Sequence, residues 1–209
     1  MGTFLDLQNN VATDLTRTDL TSQIKSAIGD AVKHYEHDRF WFNVTRTKTF
    51  QTVVGQAAYG VADLADIPNI IRIDHLFLPV AGSVYDLCRQ EPDEFEWLAS
   101  VYLGKPTDYT YADGQILLWP IPGAIYTLRP HMHYRLAPLA LDTDSNAWCN
   151  EAEQLIRAHA KLLLYTNLLE DAEGAQRMQG EVQAFKAKLD YETSARTATG
   201  RIRAPDGHF

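Results

Sequence analysis

The sequence predicts an α+β protein: a helical bundle made from the N- and C-terminal helices, with a small antiparallel β domain inserted between them. Three observations carry that reading. Apolar residues recur at helical spacing near both ends of the chain. Between them the texture turns aromatic and β-branched. Asp113-Gly114 then sits between two strand-like runs, the signal of a two-residue hairpin. The expected division is 1–40 with 141–193 for the bundle, 41–140 for a β-rich domain with one short helix, and 194–209 for an extended C-terminal arm.

The first helix is expected over 3–16, with Thr3 as N-cap and Asp6 three residues on. Phe4, Leu7, Val11 and Leu15 form its apolar stripe. A second helix over 19–39 repeats the pattern with Leu20, Ile24, Ala27, Ile28, Ala31 and Tyr35. From Phe40, "FWFNVTRTKTFQTVV" reads as strand. "NIIRIDHLFLPV" (69–80) is a further strand. "EPDEFEWLASVY" (91–102) reads as a short helix, with Pro92 at its first position and Glu91, Asp93 and Glu94 at the positive end of its dipole. "DYTYADGQILLWPIP" (108–122) is the hairpin, limited by Pro120 and Pro122. The last strand region is 124–139.

After "DTDSN" the helical period returns. Residues 147–171 read as one long helix, apolar on most sides and so expected to be buried among several neighbours. A final helix over 172–193 places Ala175, Met178, Val182, Phe185 and Leu189 at steps of three and four, a seam suited to an antiparallel helical hairpin. Gly180 inside it costs about 1 kcal/mol against Ala.

Composition narrows the function classes. The chain has 209 residues, 45% of them apolar, which is enough to build a core. A formal net charge of -8 argues against a general nucleic-acid binder. Two distant cysteines, Cys88 and Cys149, fit free thiols better than a disulfide framework. "MGTFLDLQNN" lacks the basic start and apolar run of a signal peptide, and no apolar stretch approaches transmembrane length.

The search for chemistry yields no G-x-S-x-G, Walker loop, G-x-G-x-x-G or H-E-x-x-H. His131 and His133 lie two apart on a strand, and His75 is the third ligand a metal would need there. His34 and His37 stand three apart on a helix whose end, "HYEHDR", reads as plain surface. His159 reads as a hydrogen-bonded packing residue. The acids of "QEPDEFEW" and "DTDSN" read as a solvated face or caps, and Cys149 as a half-buried thiol at a helix start. "RFWF" (39–42) could stack bases but, in an acidic chain with only Arg39 beside it, reads as the seam between bundle and sheet, and Trp97, Trp119 and Trp148 read as core or interface anchors. The expectation is a non-enzyme with no catalytic, cofactor-binding or metal-binding residues.

The order of several stretches resembles the head-to-tail adaptor proteins of tailed bacteriophages, particularly short-tailed ones. These are "FLDLQNNVATDL" with "IKSAIGDAVKHY", then "RFWFNVTRTKTFQTVVGQAAYGV", then "NAWCNEAEQLIRAHAKLLLY", and last "EVQAFKAKLDYETSARTATGRIRA". The resemblance implies a structural virion protein that forms a ring beneath the portal protein, usually of twelve copies. Genomic DNA would pass through that ring without sequence-specific binding, and tail nozzle or tail tube proteins would attach to it. It also implies that 194–209 is a portal-docking arm, with Arg196, Arg201 and Arg203 pairing with acidic surface and Ile202 and Phe209 filling small pockets. Two alternatives remain at this point. One is another connector-layer protein, either head completion or tail terminator. The other is a small hydrolase or metal-binding enzyme, which would need converging residues such as His75, His131 and His133.

Overall fold

The computed structural model of the chain describes residues 2–64, 69–80, 82–98 and 102–197. It divides into two compact units. One is formed by the residues up to Phe42 together with those from Ala137, and the other is Asn43–Leu136. In chain order the elements are α1 (Phe4–Leu15), α2 (Thr21–Tyr35), β1 (Val44–Thr45), β2 (Phe50–Gln51), β3 (Ala58–Tyr59), β4 (Ile70–Val80), β5 (Ser83–Asp86) and β6 (Cys88–Arg89). They continue with α3 (Pro92–Glu96), β7 (Leu103–Gly104), β8 (Asp108–Ala112), β9 (Gln115–Trp119), β10 (Ile121–Pro122), β11 (Thr127–Tyr134), α4 (Ala147–Asn150), α5 (Glu153–Asn167) and α6 (Ala172–Thr197). The fold class is α+β, with the strands inserted between terminal helices.

In the helical unit, the capping box at Thr3 starts α1. Asp6 N donates to Thr3 Oγ1 at 3.1 Å, and Thr3 N donates to Asp6 Oδ2 at 2.8 Å. Phe4, Leu7 and Val11 of α1 are buried, as are Ile24, Ala27, Ile28, Ala31 and Tyr35 of α2. Both stripes fall where the periodicity puts them, because burying an apolar face is what holds short helices together.

The single helix expected over 147–171 is two. Asn146 caps α4, its Oδ1 accepting from Trp148 N at 2.9 Å. A wide turn follows, in which Ala152 N donates to Ala147 O, five residues back, at 3.2 Å. Helix α5 then runs only to Asn167, and Glu170 takes a left-handed conformation at φ 51°. Asp171 opens α6 by accepting from Gly174 N at 3.0 Å. A Cβ at Gly174 would lie 2.8 Å from the Tyr165 ring, so only glycine fits that close approach. Helix α6 packs on α5 through buried Met178 and Leu189, with Val182 and Phe185 half-buried between them. Its end at Thr197 makes the first residues of the expected arm helical.

The β unit holds a five-stranded sheet of order β1-β11-β4-β5, with β2 also paired to β11. It also holds a four-stranded sheet of order β3-β9-β8-β6 and the small pair β7–β10. Pairing is antiparallel apart from β6–β8 and β7–β10. The two larger sheets share one core that includes Tyr59, Ile73, Leu76, Tyr109, Ile116, Leu118, Leu128 and Met132. Asp113 and Gly114 form the expected two-residue turn at φ 51° and 73°.

Two expectations shrink. The long strand from Phe40 becomes only β1 and β2, because Phe40 and Phe42 turn to pack with Trp148 of the helical unit. The helix expected to reach 102 stops at Glu96, and none of its residues is buried.

Candidate docking surfaces

The end of α6 is fixed to the segment that follows α2. Trp41 N donates to Thr193 Oγ1 at 3.3 Å, and the Arg196 guanidinium lies 3.7 Å over the Trp41 ring. About two turns before Thr193, Lys186 Nζ reaches Asp38 and Asp190, each at 3.1 Å, and stands over Phe40. Burial pulls the Lys186 ammonium down, but the hydrogen bonds to Asp190 and Asp38 outweigh it and hold the group above the ordinary lysine range. Beneath these contacts, Phe40 stacks on Phe42 at 5.4 Å, and both meet the buried Trp148 edge-on. Of the residues expected to dock, Arg196 therefore stands on α6 against its own chain. Arg201, Ile202, Arg203 and Phe209 lie outside the described residues.

Five of the described histidines fall into two groups, and His37 lies beside Glu36. His159 Nδ1 is 2.9 Å from the Tyr35 hydroxyl, with the His34 ring 4.8 Å away. Burial, then the neighbouring His34, lowers the His159 pKa, while burial pushes the Tyr35 hydroxyl up to about 12. This is the packing role expected for His159. On the β unit, His75 and His131 stand opposite each other on β4 and β11, and His75 Nδ1 is 2.9 Å from Asp86 Oδ2. His133 faces Arg72 instead and is buried. Among the described residues no group of three or more His, Cys, Asp or Glu side chains is placed to hold a metal ion. Cys149 is buried, which raises its thiol pKa away from reactivity, and Cys88 is exposed. Among the described residues no helix is long and apolar enough to cross a membrane.

The surface that sequence reasoning missed is the outer face of the five-stranded sheet. It carries Arg72, His75, Phe77, Arg129 and His131. The signal was present in "TLRPHMHY", where Leu, Pro and Met alternate with Arg and His. Attention to metal spacing alone passed over the arginine.

A family model described as SU10 adaptor protein matches residues 2–205, nearly the whole chain. The chain belongs to the SU10 adaptor protein family. This places it among phage head-to-tail adaptors, with a structural connector role at the virion neck. No curated protein matches the chain. The match covers both units of the adaptor and eight residues beyond the end of α6.

Proposed function

We propose that this adaptor forms a ring, of twelve copies, under the portal protein, where it extends the DNA channel and offers a platform to tail nozzle or tail tube proteins. The observation that carries the reading is the family match over 2–205. The anchored end of α6 supports its second part, in which residues 198–209 are the portal-docking arm. An arm works best from a fixed base, and Trp41, Thr193 and Lys186 supply one. Arg201 and Arg203 would pair with portal carboxylates and Ile202 and Phe209 would fill apolar pockets. Arg196, stacked by its face on Trp41, keeps its guanidinium edge for the first such contact. Ordering each arm costs conformational entropy, which many linked copies offset through effective concentration. The net acidic chain suits a channel wall along which DNA slides without sticking.

The test is the mass of the protein alone and mixed with its portal ring, for the full chain and for a chain ending at Thr197. Ending there retains the Trp41 contacts of Thr193 and Arg196. Ring binding by the full chain, weakened by truncation, is the expected result. Equal binding by both would remove the arm and keep the adaptor ring. Binding by neither would overturn the reading.

A further inference from the structure

Register defines the outer face of the five-stranded sheet. Arg129 stands opposite Phe77, His131 opposite His75 and His133 opposite Arg72, while Ile73, Leu76, Leu128 and Met132 turn into the core. Arg72 and His75 are exposed on this face, Phe77, Arg129 and His131 are half-buried and His133 is buried, and several of these groups touch. Phe77 and His131 are 4.6 Å apart, His75 and Phe77 are 5.6 Å apart, and the Arg129 guanidinium lies 5.8 Å over Phe77. Arg46, in the loop after β1, adds a further cation close to His131. Two carboxylates share this face, and each has a partner there: Asp86 with His75 at 2.9 Å, and Asp74 with Arg72 at 3.4 Å. Arg46 and Arg129 have no carboxylate partner among the described residues, and Arg129 Nε is buried without a hydrogen-bond acceptor. An incoming carboxylate would be attracted by the unpaired guanidinium charges of Arg46 and Arg129.

The opposite character stands on the four-stranded sheet. There α3 packs on β8 and exposes Glu91, Asp93, Glu94 and Glu96, none of them ion-paired among the described residues. Trp97 follows at 84% exposure, the most exposed of the large apolar side chains among the described residues. Acids beside an open indole complement a face of arginines beside a half-buried phenylalanine.

We propose that these two surfaces are the two halves of one interface between copies of this chain, with α3 of one copy docking on the outer sheet face of the next. Charge complementarity selects a second copy as the occupant, because the chain carries both partners. A nucleic acid would meet the arginines but leave the acids and Trp97 with no role. Trp97 supplies the buried anchor that interfaces favour, and a guanidinium is a good partner for its ring. Different patches meeting make the contact heterologous, so repetition closes a ring when the rotation allows. The inference rests on the ring reading above and names where its copies meet.

The test is a charge swap. Arg46→Glu with Arg72→Glu reverses the basic face. Glu94→Lys with Glu96→Lys reverses the acidic helix. All four residues are exposed, so each double variant is expected to keep the circular dichroism of the parent. Self-association is read as mass, alone and on the portal ring. Each variant alone is expected to weaken association by roughly tenfold or more, and an equal mixture of the two should recover part of it, because one of its contacts pairs the reversed faces. As a second readout, Trp97→Ala should weaken association at both low and high salt, since its part is not ionic.

Rings of unchanged mass and salt dependence from both double variants would overturn the inference and leave the adaptor ring standing. Loss with the basic-face variant only, accompanied by loss of DNA binding, would assign the face to nucleic acid and overturn it as well. Failure of the parent chain to assemble with portal would strike at the ring reading itself and take this interface with it.

Discussion

The two units use their charges differently. In the helical unit the ions close on each other within the chain. Asp14 of α1 takes the Arg157 guanidinium of α5 on both oxygens and the Lys161 ammonium at 2.8 Å. Asp142 meets Lys25, and Lys186 meets Asp38 and Asp190. In the β unit the acids of α3, and Arg46 and Arg129 of the outer sheet face, have no ion-pair partner among the described residues, while Arg72 pairs with Asp74. Apolar exposure follows the same division. Of thirteen large apolar side chains exposed among the described residues, nine belong to the β unit, Trp97, Tyr102 and Leu103 among them. Isolated exposed apolar residues are ordinary, but their concentration on one unit marks where partners meet. The helical unit thus joins its helices by internal ion pairs, and the β unit leaves more of its large apolar side chains exposed.

Perturbations can break that contrast. Trp148→Ala removes the ring on which Phe40 and Phe42 converge, and is expected to cost about 3–5 kcal/mol of stability, read by thermal or denaturant unfolding. Trp97→Ala, of the same chemistry but exposed in the β unit, should leave stability within about 0.5 kcal/mol. If both were equally damaging, the contrast would fail. Asp14→Ala leaves Arg157 and Lys161 facing each other, half-hidden from water, and should cost about 1–2 kcal/mol.

Acid titration sharpens the same point. His159 has a lowered pKa in the folded chain, so the unfolded chain binds its proton first. Stability should therefore begin to fall as pH drops below about 6.5. Asp14 is also lowered, chiefly by its Arg157 hydrogen bond. Its contribution is complete above the unfolded value near about 3.9 and is lost as pH falls through the folded value. Burial also lowers His131, so unfolding free energy measured from neutral to acid pH should decline in two stages, and His159→Gln should shrink the first and leave the part due to His131.

Two glycines of one helix are expected to respond with opposite signs. Gly174→Ala should destabilise by about 1–3 kcal/mol, because its Cβ would strike Tyr165 and Asp171. At Gly180 nothing lies within 4 Å of an added Cβ, so Gly180→Ala should stabilise α6 by up to about 1 kcal/mol. Close packing therefore does not account for glycine there.

Local signals reported best what local physics decides. The Thr3–Asp6 cap, the stripes of α1, α2 and α6 and the Asp113-Gly114 turn were legible because each needs only neighbours a few residues away. The break after Asn150 was not, since it depends on a five-residue backbone bond that no side-chain pattern announces. The strand expected from Phe40 failed because aromatic composition does not say which core claims the ring. Phe40 and Phe42 went to Trp148. At the docking surfaces, the sequence named Arg196 as a partner-facing cation but could not place Trp41 beneath it. It offered the histidines of β11 as ligands, although bulges at Asp74 and Ile71 on β4 set them among arginines and an aromatic ring.

Hydrogen–deuterium exchange of the full chain, free and assembled on its portal ring, tests the central claim most directly. The account predicts new protection in 198–209, in α3 and along β4 and β11, with α1, α2 and α5 unchanged. Protection gained mainly on α1, α2 and α5, with the β unit exchanging as in the free protein, would contradict it.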